Sequence, residues 1–176
     1  MQRTVLISFL MLATCGLLVA QTPSTDAPQQ IHADLNQLMR GALYPPANVV
    51  FFAQSENPAE VKWPAGHDPS MSTDPLTGAF PGWQAVENAA LALAESANLL
   101  MIPGRNCSNG VPVPIKDPAW AVFVQQVRDA SMKAYKAAQA KSQDQILEVS
   151  EALSKSCEGC HRKWRNVRGG AANRCK

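Results

Sequence analysis

The chain has 176 residues, 46% of them hydrophobic, which is enough to close one buried core and too short to argue for two domains. Its formal charge of +2 names no partner and gives no ground for nucleic-acid binding. The charge is unevenly placed: residues 21–100 hold two basic and eight acidic groups, residues 101–176 thirteen basic and six acidic.

In the first twenty residues, Arg3 precedes an almost unbroken apolar run, and the polar stretch QTPSTDAPQQ follows. This order reads as a secretory signal peptide over residues 1–20, cleaved after Ala20. The run is about long enough to cross a bilayer, so an uncleaved anchor is the competing reading. Leu12-Ala13-Thr14-Cys15 is a poor lipoprotein box, because the apolar run continues past the cysteine. After cleavage four cysteines remain, at 107, 157, 160 and 175, and an exported chain meets oxidising conditions that leave few unpaired exposed thiols.

The mature chain shows four segments of helical periodicity and no run of strand-like alternation. In the first, Ile31, Leu35, Leu38, Met39, Ala42 and Leu43 fall on one helical stripe. Pro45-Pro46 is expected to interrupt it, with Val49 to Ala53 resuming the helix beyond a kink. Residues 55–81 carry closely spaced prolines and read as a long insertion without regular structure. A second helix is predicted from about Trp83 to Met101, with Trp83, Val86, Ala90, Leu93, Ala94, Ala97 and Leu100 inward and Pro103-Gly104 as the stop. Asp117-Pro118 opens a third, whose stripe of Trp120, Phe123, Val124, Val127, Ser131, Ala134 and Tyr135 fades near Ala140. Ser142 with Gln145 forms a capping box for the fourth, which carries Ile146, Val149, Leu153, Cys157, Cys160 and Trp164 on one face. The economical packing of four such helices is an all-α, antiparallel four-helix bundle, in which a cofactor sits among facing side chains.

Cys157-Glu158-Gly159-Cys160-His161 is the C-x-x-C-H pattern of c-type haem attachment. Two thiols three residues apart on a helix project from nearly one face, as two neighbouring vinyl groups on a porphyrin edge require. His161 follows directly, and its imidazole offers a neutral nitrogen to iron. A redox dithiol is the first alternative, but that use belongs with thioredoxin-like strands and helices. Structural zinc would need further ligands, and Cys107 with Cys175 lack paired spacing. A Cys157–Cys160 disulfide is poor, because a helical turn does not give its geometry.

Over most of the mature chain the sequence resembles the class II c-type cytochromes, the cytochrome c prime family of four-helix bundles with haem near the C-terminus. Its sharpest element is Cys157 to Arg165, CEGCHRKWR, which is similar to the family's C-x-x-C-H-x-x-aromatic-R, with Trp164 and Arg165 in the last two positions. Gln37-Leu38-Met39-Arg40 resembles the first-helix segment of its low-spin members, which implies Met39 as the second axial ligand. Without the resemblance, Met39 reads as core filler. Met71, Met101 and Met132 rank below it, and so do His32, two helical turns before Met39, and His67. Arg40 and Arg165 suit the haem propionates, because a guanidinium presents matched donors to a carboxylate. The chain departs from the compact family pattern in Pro45-Pro46, the proline-rich insertion and two extra cysteines. Pairing Cys107 with Cys175 would staple the C-terminal tail to the loop before the third helix.

The expectation is a periplasmic one-electron carrier with one covalent haem c, iron ligated by His161 and Met39, and no enzymatic turnover. A five-coordinate protein binding nitric oxide or carbon monoxide is the alternative. Six basic and no acidic residues from Arg162 to Lys176 suggest docking to acidic redox proteins. The resemblance also implies pairing of two copies through their first two helices.

Overall fold

The computed structural model describes residues 29–61, 76, 80–165 and 175. The signal segment, most of the proline-rich insertion, His67, Met71 and most of the basic tail lie outside the described residues. What is described is all-helical, with one isolated antiparallel bridge between Asn106 and Pro112 in place of any strand.

The first helical stretch begins at α1, Leu35–Leu38. Asp34 sets the start: its carboxylate accepts from the Gln37 N–H at 2.8 Å, and the Gln37 side-chain oxygen accepts from the Asp34 N–H at 2.9 Å. Ile31, expected on this stripe, therefore lies ahead of the helix, and so does the exposed His32.

Pro45-Pro46 does not interrupt the stretch. A π-helical turn, Met39–Leu43, joins α1 to α2, Tyr44–Phe52, and the Tyr44 N–H donates five residues back to the Met39 carbonyl. Both prolines fall in the first turn of α2, directly after the π-helical turn, and the helical stretch continues through them.

The other three helices follow the sequence closely. α3, Trp83–Ser96, tightens into a 3-10 turn, Ala97–Met101, ahead of Pro103-Gly104. Gly82, just before α3, has φ +61°, and a Cβ there would lie 2.5 Å from the Pro58 carbonyl oxygen, so only glycine fits. α4, Pro118–Gln139, is capped by the Asp117 carboxylate, which accepts from the Ala119 N–H at 2.9 Å. α5, Gln143–Cys160, is capped by the Ser142 hydroxyl, which accepts from the Gln145 N–H at 3.3 Å. It continues as a second π-helical turn, His161–Arg165.

α3 packs along α4, α4 along α5, and α2 against α3 and, more lightly, α5. Val50, Leu76, Val86, Leu93, Trp120, Val124, Ile146 and Leu153 are fully or nearly fully buried between them. All seven inward residues expected of the second helix are buried, whereas Phe123 and Tyr135 of the third stripe are half-buried. No helix among the described residues is long and apolar enough to cross a membrane.

Candidate cofactor site

The buried stripe of α5 passes through Ile146, Val149 and Leu153 and then carries the two cysteines out of the core. Cys157 and Cys160 are half-buried free thiols, not a disulfide. Burial pushes the Cys157 thiol up; burial and then the charge of Cys157 push Cys160 up to about 12. Thiols so held stay protonated at neutral pH, the opposite of the lowered values of reactive redox dithiols. Gly159 between them is closely packed: a Cβ there would lie 2.4 Å from Phe123 Cε1 of α4, so the ring would have to shift.

His161 opens the π-helical turn, and its N–H donates to the Cys157 and Glu158 carbonyls. Burial, and secondarily the nearby Arg165 cation, lower its imidazole below the ordinary range. The neutral ring that results is the form able to bind a metal. Trp164 is braced from α4: its ring lies 5.0 Å from Trp120 at 62° and 5.8 Å from Phe123 at 89°, both edge-to-face. The Trp120 indole N–H donates to the Leu100 carbonyl at 3.1 Å, so the brace is itself fixed. Lys163 stands 4.8 Å from the Trp164 ring centre and forms a 2.8 Å ion pair with Asp117, tying the last turn to the start of α4.

These groups wall a cavity of about 650 Å³, within the range of small-molecule and cofactor sites. Leu35, Leu43, Leu93, Leu100, Val124 and Val127 give it apolar sides. All seven residues singled out in the sequence, Met39, Arg40, Cys157, Cys160, His161, Trp164 and Arg165, line this one space. His32, Met101 and Met132 do not line it, and Met132 is exposed on α4. A second, more open hollow of about 550 Å³, beside Phe51, Leu147, Asp144 and Glu148, holds none of the seven.

The donor set fits a haem attached to the chain: two adjacent thiols, a neutral imidazole, a thioether and two guanidinium groups share one apolar-walled cavity. It does not fit structural zinc. Among the described residues no three His, Cys, Asp or Glu side chains are grouped to hold a metal ion, and Cys107 is joined to Cys175 in a disulfide with Cα atoms 5.1 Å apart.

Beyond the apolar walls, Asn36, Tyr44, Phe123 and Cys175 also line the cavity and were not among the sequence candidates. Asn36 and Tyr44 flank Met39 on the same stretch, but placing Tyr44 requires the π turn, which periodicity does not reveal. Phe123 was legible only as one member of an apolar stripe, and Cys175 only as half of a disulfide. Compared with known proteins, the chain matches no family model, and neither curated proteins nor solved structures give a significant match.

Proposed function

We propose that this chain is an exported, periplasmic one-electron carrier of the c-type cytochrome kind, an antiparallel four-helix bundle resembling the class II c-type cytochromes. One haem c would be attached through Cys157 and Cys160, with His161 and Met39 ligating its iron. The observation that carries the reading is the convergence of seven residues, chosen for haem chemistry from two distant parts of the sequence, on one apolar-walled cavity.

Haem supplies a one-electron ferric/ferrous couple. Cys157 and Cys160 fix the group to α5, and the neutral His161 ring offers a nitrogen without first losing a proton. Met39 would bring a thioether from the first helical stretch, a ligand that, paired with histidine, raises the potential. Arg40 and Arg165 line the cavity, and their guanidinium groups would suit the propionate carboxylates. The leucine and valine walls would lower the polarity around the group, which favours its less charged, reduced state. Carrying an electron needs no acid-base catalysis and no substrate turnover. The basic stretch from Arg162 onward suits an acidic redox partner.

Visible spectra of the ferric and ferrous protein, with and without Met39→Ala, test the reading. Low-spin iron with a sulfur-to-iron charge-transfer band, lost in the variant, supports it. A high-spin wild type that binds carbon monoxide would replace the carrier with the gas-binding reading.

A further inference from the structure

The C-terminal cysteine is more than a staple for the tail. Cys175 lines the cofactor cavity, and its N–H donates to the Trp164 carbonyl at 3.0 Å, so the chain returns onto the last turn of the C-x-x-C-H segment. Its disulfide to Cys107 spans 68 residues of sequence. Cys107 is held in a closed loop, its N–H donating to the Val111 carbonyl at 2.8 Å and its carbonyl accepting from Gly110 at 2.9 Å.

That loop grips the other side of the cavity. The neighbouring Asn106 carbonyl accepts from the Leu35 N–H at 2.9 Å, satisfying one of the donors a helix start leaves without a partner. The Arg105 guanidinium donates to the Ala33 carbonyl and, at 3.4 Å, to the Leu99 carbonyl. Arg105 is 5% exposed and Cys107 2% exposed, so both anchors of the loop are buried. Leu35 and Asn36 line the cavity, and Met39 lies one helical turn beyond Leu35. A continuous path therefore runs from Trp164 through Cys175, Cys107, Asn106 and Leu35 to Met39.

We infer that the Cys107–Cys175 disulfide is a positioning clamp for Met39: it locks the start of the first helical stretch to the segment bearing His161, holding the thioether in the cavity that His161 also lines. The ligand roles rest on the function proposed above; the mechanical link does not. Without the clamp α1 loosens from the Asn106 loop, Met39 leaves the iron part of the time, and small ligands gain access to the distal side.

The test uses the full chain matured with its cofactor and compares wild type, the double variant Cys107→Ser/Cys175→Ser, and Val86→Ala as a destabilised control. Val86 is fully buried in α3 and does not line the cavity. In the double variant, ferric iron shifts toward high spin, carbon monoxide affinity rises, and amide exchange over residues 35–43 speeds up by about tenfold or more. Val86→Ala lowers the unfolding midpoint and leaves the spin state unchanged. Arg105→Gln, which keeps the disulfide but cuts the guanidinium links, gives the same changes at smaller size and decides the matter if the double variant does not fold. A double variant with the wild-type spin state and wild-type exchange over 35–43 would overturn the clamp. If the wild type carries no haem, the proposed function fails, and the exchange comparison alone decides the clamp.

Discussion

Replacing Gly159 by alanine sets two effects of known sign against each other. In an exposed helix interior this change stabilises by about 1 kcal/mol, because glycine has more backbone freedom to lose. Here the added Cβ would lie 2.4, 3.0 and 3.1 Å from Cε1, Cδ1 and Cζ of Phe123. The Phe123 ring cannot withdraw at no cost, because it rests edge-to-face on Trp164 at 5.8 Å, and moving it the other way pushes it into the cavity it lines. Overpacking of this kind costs about 1–3 kcal/mol. The net expectation for Gly159→Ala is a loss of about 1 kcal/mol, or about 2–4 °C in unfolding midpoint for a chain this size. With Phe123→Ala in the background the clash disappears, and the same change stabilises by about 1 kcal/mol, a coupling of about 2 kcal/mol between residues in contact. Urea unfolding of the four proteins of this double-mutant cycle, all in one cofactor state, measures it. Equal stabilisation by Gly159→Ala in both backgrounds would refute the packing argument.

The Lys163 ammonium beside Asp117, with the Ala119 N–H, holds the Asp117 carboxyl below its ordinary 3.8. A lowered folded value means this pair stabilises the fold above pH 3.8 and loses its contribution as pH falls through the folded value; acid unfolding of wild type and Lys163→Met should therefore differ above that window and converge below it. Removing the Cys107–Cys175 disulfide, which closes a loop across 68 residues of sequence, should lower stability by about 4 kcal/mol, because the unfolded chain regains the entropy of that loop. Guanidinium unfolding of the Cys107→Ser/Cys175→Ser variant checks this, and an unchanged midpoint would show the loop unconstrained in solution.

Much of the helical layout was legible in the sequence because it is set locally. Asp117-Pro118 and Ser142 start their helices as expected, and the stripe from Trp83 to Leu100 is buried throughout. The first stretch was harder. Ile31 continues the apolar period, yet the Asp34–Gln37 capping box begins the helix after it. Two consecutive prolines read as a break, but they fall in the first turn of α2, directly after a π-helical turn. Such a turn leaves no mark on an apolar stripe. The C-x-x-C-H segment could be picked out because its chemistry fixes residue type and spacing together. The close packing at Gly159 could not, because it comes from Phe123, thirty-six positions away in the sequence and on another helix. The cavity wall made by Cys175 belongs to the same class of non-local fact.

Covalent attachment at Cys157 and Cys160 is the claim on which the account depends. Peptide mapping by mass spectrometry, on protein exported from a host able to mature c-type cytochromes, tests it directly. One haem is expected on the peptide spanning Cys157 to His161, with neither thiol open to alkylation. Two alkylatable thiols on an unmodified peptide would contradict it.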